Sequence, residues 1–137
     1  MIREVLVDEG QTVKSEQPLL QFDNRLTAAR VEMSRAEYAR SASAVQATQL
    51  ETKLAAGRFK NTAFAFRQGA ATEVELEESH VRWKQARSRY ASALSEVQQW
   101  QENLNVVQVE NAMRTIRAPF DGKVAVSYTH LTLPTKA

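Results

Sequence analysis

Histidines and clustered carboxylates are the side chains whose types could support metal binding or acid–base chemistry in this sequence. His80 and His130 are far apart, and neither has a second ligand three or four residues away, as a helical zinc site requires. The adjacent Glu77 and Glu78 lie in a stretch with helical periodicity and are expected to face water. Acid–base catalysis needs two carboxylates in a shared, desolvated pocket. The sequence therefore predicts no catalytic residue and no metal site.

Composition and charge exclude further classes of function. The chain has 137 residues, of which 43% are hydrophobic and 25% are charged, as in a folded protein. It lacks cysteine, so disulfides, thiolate metal ligands and cysteine nucleophiles are excluded. The 18 basic and 16 acidic side chains are interspersed, and no basic block that would bind phosphates is present. We therefore expect no nucleic-acid partner.

Two long helices joined by a short turn are predicted. The first helix begins after a capping Asp23 or Asn24 and continues without a proline. Gly69 can adopt the left-handed conformation that ends a helix, and Thr72 and Glu75 have the spacing of a capping box that begins the next one. So short a turn requires antiparallel helices. The predicted ranges are 25–67 for the first helix, 68–72 for the tip and 73–113 for the second helix.

Residues that recur every seven positions in the second helix predict a coiled-coil seam. Its two rows are Leu76, Trp83, Tyr90, Val97 and Leu104, and Ser79, Ala86, Ala93, Trp100 and Val107. A weaker row in the first helix follows alternating steps of three and four residues. It consists of Leu26, Ala29, Met33, Ala36, Ala47, Leu50, Leu54 and Phe64. We predict that these rows pack together. The aromatic residues could alternatively form a ligand-binding stripe, but their heptad spacing favours packing.

Short strand-like segments flank the helices. Residues 2–23 contain β-rich runs separated by turns at Gly10 and Pro18, and residues 114–125 contain two more runs around the turn at Gly122. Strands this short and this few do not form a stable sheet alone. The chain is therefore organised as half of a β-module, a helical hairpin and the beginning of the other half.

These flanking segments resemble a known type of module. VLVDEGQTVKSEQPLLQFD at 5–23 resembles the first half of a lipoyl or biotinyl-type β-module, and TIRAPFDGKV at 115–124 resembles the start of its second half. A lipoyl-like module split by a long hairpin is similar to the hemolysin D-type membrane fusion proteins, the periplasmic adaptors of efflux and type I secretion systems. The resemblance implies a mainly α fold, in which a long antiparallel two-helix coiled-coil hairpin is inserted in a split, incomplete lipoyl-like β-module. The corresponding divisions are 1–23, 24–113 and 114–125.

The resemblance also implies a function and partners. Adaptors of this kind link an inner-membrane transporter to an outer-membrane exit duct in the periplasm of a Gram-negative-type envelope. The full-length protein is expected to associate into a ring and to be held at the inner membrane by an anchor that this chain lacks, and no cofactor is expected. The hairpin tip is expected either to contact a partner or to form only a turn. Its residues are Arg67, Gln68, Gly69, Thr72 and Glu75.

Two positions depart from the pattern of this family. Members usually have glycine at the turn position of Glu16, where a positive φ is expected, so the glutamate should cost about 1 kcal/mol. Many adaptors also carry Arg, then Leu four residues later, then Ser seven residues further around the tip. Those positions correspond to Asn61, Ala65 and Thr72, and only Thr72 is a near match. The identity of the exit duct is therefore left open.

Two other functions remain as alternatives. A lipoyl or biotinyl-type carrier would need a lysine in the turn that joins its two halves, because the cofactor is attached to that amine. The hairpin takes the place of that turn, and Lys14 and Lys123 lie in other turns without the flanking acidic or methionine residues. A purely structural coiled-coil protein would leave the paired half-motifs unexplained.

The end of the chain, residues 126–137, is expected to be non-native. VSYTHLTLPT lacks the next glycine turn of the β-module, and it resembles the translation of a transposase-type sequencing adapter. We expect the natural sequence to stop near Ala125, with read-through of library DNA beyond it. No function is assigned to His130.

Overall fold

The computed structural model describes residues 1–125, which form two long helices and five short strands. The helices are α1 (Arg25–Arg67) and α2 (Glu73–Ala112). The strands are β1 (Ile2–Val5), β2 (Thr12–Val13), β3 (Pro18–Phe22), β4 (Thr115–Arg117) and β5 (Gly122–Lys123). The predicted fold class, a helical hairpin inserted in a split β-module, is confirmed. Within 1–125, neither helix contains a stretch apolar enough to cross a membrane. The predicted non-native tail lies outside the described residues.

The chain forms two compact units, and the division between them falls inside the helices. One unit contains Met1–Met33 and the chain from Asn105, and the other contains Ser34–Leu104. The domain boundaries predicted from the sequence, after residues 23 and 113, lie at the ends of the helices instead. The difference arises because α1 begins within three residues of β3, and α2 ends within three residues of β4. These short connections join the first turns of the hairpin to the strands.

Strand β3 lies at the centre of the sheet and joins the two halves of the β-module. It pairs antiparallel with β1 on one side and with β4 on the other, so that Leu20 lies between Val5 and Ile116. A second, two-stranded sheet pairs β2 with β5, with Val13 opposite Gly122. Each sheet therefore contains a strand from before the hairpin and a strand from after it.

We call the unit that contains the five strands, Met1–Met33 and the chain from Asn105, the β-unit. Its core is small and also draws on both halves. Its buried side chains are Val7, Val13, Leu19, Leu20 and Ala118. Ala118 comes from the second half, and its amide donates a hydrogen bond of 3.0 Å to the carbonyl of Gln17 in the first half. Burial of apolar surface is the main stabilising contribution in a unit of this kind. Ala118 of the second half thus completes a core whose other buried side chains come from the first half.

Glu16 adopts the left-handed conformation that the family resemblance implies for its position. Its φ is 68°, in a turn closed by the amide of Gln17 donating to the carbonyl of Lys14 at 3.1 Å. The Glu16 amide donates to the carbonyl of Ala118 at 2.7 Å, and the Arg117 guanidinium donates to the Glu16 carbonyl at 2.9 Å. A positive φ is unfavourable for a residue with a Cβ, and these contacts with the second half of the module hold Glu16 in that conformation.

The first helix begins at a charged cap. A carboxylate oxygen of Asp23 accepts a hydrogen bond from the Arg25 amide at 3.1 Å, and the Arg25 guanidinium lies 2.8 Å from the other oxygen. Hydrogen bonds from Arg25 hold the pKa of Asp23 well below its usual range. Because the folded pKa is lowered, this stabilisation is present above the usual carboxyl pKa of about 4 and is lost as the pH falls below it.

We predict that Glu16→Gly stabilises the β-unit by about 1 kcal/mol, because glycine adopts a positive φ without the steric penalty of a Cβ. Native-state hydrogen exchange of the Ala118 and Leu20 amides should slow about fivefold. Glu16→Ala is the matched control, since alanine keeps the Cβ, and it should leave exchange nearly unchanged. Equal slowing of exchange in Glu16→Gly and Glu16→Ala would show that the positive φ of Glu16 does not destabilise the β-unit.

Candidate functional site

Contacts between α1 and α2 fix an antiparallel register. The Ser34 hydroxyl donates to the Asn103 side-chain oxygen at 2.8 Å, and the Thr52 hydroxyl lies 3.0 Å from the carbonyl of Ala86. Nearer the tip, the rings of Phe59 and His80 are stacked with centroids 4.8 Å apart. Residues at the same height of the hairpin therefore have numbers that add up to about 139.

The face of α1 that packs on α2 is rich in hydroxyl groups. Its residues follow alternating steps of three and four, and they are buried or half-buried. They are Thr27, Val31, Ser34, Tyr38, Ser41, Val45, Thr48, Thr52, Ala55, Phe59 and Thr62. Thr27 and Ser41 are each only 4% exposed. The Ser41 hydroxyl donates to the Tyr38 carbonyl at 2.8 Å, so its burial leaves no unpaired donor.

The predicted apolar row of α1 lies on the outside of the hairpin. Leu50 is 66% exposed and Leu54 is 57% exposed, so their assignment to the seam is wrong. Leu26, Met33 and Phe64 of the same row are exposed as well. Both rows of α1 have heptad spacing, and periodicity alone does not choose between them.

The residues predicted for the seam of α2 lie toward α1. Ala86, Ala93 and Leu104 are buried. The larger side chains are half-buried, and they are Leu76, Trp83, Tyr90, Val97 and Trp100. Large residues on α2 therefore pack against a row of α1 that consists mostly of smaller residues, although Trp83 lies against Phe59.

An aromatic stack braces the part of the hairpin nearest the tip. Phe59 lies against both His80 and Trp83, with its ring centroid 5.5 Å from that of Trp83 and an angle of 11° between the planes. The guanidinium of Arg87 lies 5.1 Å from the centre of the Trp83 ring, within the range of a cation–π contact. His80 is thus a packing residue. Residues 1–125 contain no cluster of three potential metal ligands. Sequence reasoning missed Phe59, because heptad spacing alone does not show that its row faces α2.

The first helix ends in a Schellman motif. Gly69 has a φ of 75°, and its amide donates to the carbonyl of Phe66 at 3.0 Å. The amide of Ala70 donates to the carbonyl of Ala65 at 2.8 Å. These two bonds satisfy carbonyl groups that the end of a helix otherwise leaves unpaired. The turn at the tip is therefore a hydrogen-bonded structure with a defined conformation.

The second helix begins in the predicted capping box. The Thr72 amide donates to a carboxylate oxygen of Glu75 at 2.7 Å, and the Glu75 amide donates to the Thr72 hydroxyl at 3.1 Å. All five residues predicted for the tip contact are exposed. Thr72 and Glu75 use their side chains to begin α2, whereas those of Arg67 and Gln68 extend from the turn.

A groove of about 750 Å³ runs along one side of the hairpin next to the tip. Small side chains form much of its lining, and these are Ala55, Ala65, Ala70, Ala71 and Ala86. Charged side chains of both signs lie around them, including Glu51, Arg58, Glu78 and Arg82. Asn61 and Ala65, two of the tip-motif positions, also line this groove. Alanines allow the backbone of another helix to approach closely.

The two lysines considered for a carrier lie outside the hairpin. Lys14 is exposed in the turn before Glu16, and Lys123 is exposed in β5, opposite Thr12. The chain leaves the sheet after β3 and returns to it in β4, and the whole hairpin lies between these strands.

Comparison with protein-family profiles and with curated protein sequences gives no match. Comparison of structures finds MacA from Actinobacillus actinomycetemcomitans, with a TM-score of 0.81 and 18% identity over 89% of this chain and 38% of that one. The membrane fusion protein Spr0693 from Streptococcus pneumoniae R6 follows, with a TM-score of 0.49 and 17% identity over 89% of this chain and 43% of that one. The periplasmic adaptor protein EmrA has a TM-score of 0.39 and 14% identity over 89% and 61% of the two chains.

The likeness to MacA shows the fold. The chain spans 38% of the length of that protein, so it corresponds to a part of it.

We predict that Thr72→Ala destabilises the first turn of α2 by about 1 kcal/mol, because the Glu75 amide loses its acceptor. Hydrogen exchange of the Glu75 and Leu76 amides should accelerate about fivefold. Thr72→Ser keeps the hydroxyl and serves as the control. Acceleration in Thr72→Ser as large as in Thr72→Ala would show that the cap does not stabilise this turn.

Proposed function

We propose that this chain is the hairpin and part of the β-module of a periplasmic adaptor, which links an inner-membrane transporter to an outer-membrane exit duct in drug efflux or type I secretion. The observation that carries the proposal is an antiparallel hairpin inserted between β3 and β4 of one small β-module. This arrangement matches MacA over 89% of the chain. The two half-motifs that resemble hemolysin D-type proteins support the same function.

The hairpin is suited to act as a spacer. From Ser34 to the end of α1 at Arg67, the helix is about 50 Å long at 1.5 Å per residue. Side chains from the two helices interlock along this length, and the cross-helix contacts of Thr52 and Phe59 hold the register. A paired helix of this kind resists bending better than a single helix, so it keeps a defined length up to the tip.

The tip is the proposed contact with the exit duct. Its turn has a defined conformation because the Schellman motif and the capping box adjoin each other. The exposed Arg67, Gln68 and Gly69 form its outer surface. The groove beside them has a lining of small side chains, into which a helix of the duct could pack. Since Asn61 and Ala65 replace the arginine and leucine of many adaptors, we expect a duct whose contact surface differs from theirs.

We expect the full-length protein to lie in the periplasm, to be anchored at the inner membrane by a segment outside this chain and to associate into a ring. Its role is mechanical and not enzymatic. The carboxylate of Glu75 is used in the helix cap, and the ring of His80 is packed in the aromatic stack. No particular observation favours the carrier function.

A cysteine at the tip tests this function. The chain has no cysteine, so Gln68→Cys in the full-length protein gives a single reactive site. In cells that export actively, a short bifunctional reagent should crosslink it to an outer-membrane protein. Gln46→Cys, an exposed position in the middle of α1, is the control and should give no such product. Absence of Gln68 crosslinks in exporting cells would rule out the tip contact.

A further inference from the structure

Two arginines lie at the same height of the hairpin in the groove beside the tip. Arg58 on α1 and Arg82 on α2 both line the groove, and their numbers fit the antiparallel register of the helices. Both side chains are exposed. Within residues 1–125, no carboxylate forms an ion pair with Arg58, and Arg82 has Glu78 of its own helix at 4.0 Å. Two positive charges at one height are therefore opposed by one distant carboxylate.

The equivalent positions one heptad nearer the base hold opposite charges. They are Glu51 and Arg89, which also line the groove and form an ion pair between the two helices at 2.6 Å. Positions seven residues apart repeat the same geometry in a coiled coil. An acidic residue in place of either Arg58 or Arg82 would therefore give a second ion pair between the helices. Two arginines repel each other there, so the stability of the hairpin does not account for them.

The other carboxylates of the groove do not supply the missing negative charge. Glu51 is paired with Arg89, and Glu75 accepts a hydrogen bond from the Thr72 amide in the helix cap. The side chain of Glu78 is 62% exposed, and an exposed ion pair at 4.0 Å contributes little free energy. A carboxylate from a binding partner would compensate the arginines.

The groove around the two arginines has the dimensions of a helix-binding site. It extends along α1 from Glu51 to Ala65, about 21 Å at 1.5 Å per residue, which is about four turns of a helix. At its base end, the ion pair of Glu51 with Arg89 connects the two helices. Several of the lining side chains are alanines, so the backbone of another helix can approach closely. A long, narrow ligand fits this groove better than a compact one.

We infer that the groove binds an α-helix of the exit duct that carries an aspartate or glutamate, and that this carboxylate is held between Arg58 and Arg82. The inference rests on the proposed function and adds the chemistry of the partner. A carboxylate between two guanidinium groups accepts hydrogen bonds from both, and such charge-assisted bonds are stronger than those between neutral groups. The same carboxylate offsets the repulsion between the arginines. The charge of the groove thus selects among partner helices.

Reversal of one charge tests the role of the arginine pair. In the full-length Gln68→Cys protein, Arg58→Glu should lower the yield of crosslinks to the outer-membrane protein about tenfold, because the carboxylate of the partner then meets a like charge. Lys60→Glu is the matched control. It makes the same charge change at an exposed position of α1 outside the groove, and it should leave the yield unchanged. An equal loss in both variants, or no loss in Arg58→Glu, would overturn the inference.

Thermal unfolding of the 137-residue chain separates binding from folding. Arg58→Glu places a carboxylate opposite Arg82, as Glu51 lies opposite Arg89, so the midpoint of unfolding should rise by about 2 °C. Lys60→Glu should not raise it. The contact with the duct should thus weaken in a variant whose hairpin is more stable. A lower midpoint in Arg58→Glu than in the parent chain would contradict the repulsion between the arginines and overturn the inference.

A cysteine inside the groove identifies the partner segment. Asn61→Cys in the full-length protein lies one turn from Arg58. Mass spectrometry should find it crosslinked to a segment of the outer-membrane protein that has Asp or Glu within about four residues of the attachment point. Attachment to a second copy of this chain, or to a segment without an acidic residue, would overturn the inference. If Gln68→Cys still crosslinks, the tip contact holds without the groove, whereas loss of both crosslinks rejects the proposed function itself.

Discussion

The antiparallel pairing of α1 with α2 in one register is the constraint on which the β-unit depends. At the base of the hairpin the Thr27 hydroxyl lies 2.9 Å from the Asn111 side-chain oxygen, and the Phe22 amide donates to the Arg114 carbonyl at 2.7 Å. A shift by one residue would turn every side chain of β4 to the other face of the sheet. The helices thus align two half-modules that have too few strands to fold alone.

The interface between α1 and α2 buries little apolar surface, although its side chains are closely packed. The row of α1 that faces α2 consists mainly of serine, threonine and small or branched residues, so it buries little hydrocarbon. Its stability comes from the aromatic side chains of α2 and from hydroxyl groups that find acceptors within the helix pair. Ion pairs such as Glu51 with Arg89 at 2.6 Å are exposed and add less than about 1 kcal/mol each. The apolar surface left outside is then available to a neighbouring molecule.

Much of this structure could be predicted because local rules determine it. The reciprocal cap of Thr72 and Glu75 depends on a few adjacent residues, and the sequence shows it directly. The left-handed conformation at Glu16 was expected only from the resemblance, because members of that family usually have glycine at this position. The seam of α2 could also be predicted, because its aromatic residues, Trp83, Tyr90 and Trp100, recur on only one face. The seam of α1 could not. Both of its faces have heptad spacing, and which face packs on α2 depends on how its side chains fit those across the interface, which no local pattern contains.

The central claim is that α1 packs on α2 through its hydroxyl row and leaves its apolar row outside. Rates of thiol alkylation in dilute, monomeric chains test this directly, with one cysteine introduced at Ser41 and, in a separate variant, one at Leu54. Because Ser41 is 4% exposed and Leu54 is 57% exposed, Leu54→Cys should react at least about tenfold faster. A protected Leu54→Cys together with a reactive Ser41→Cys would show that the apolar row faces α2, and it would contradict this account of the hairpin.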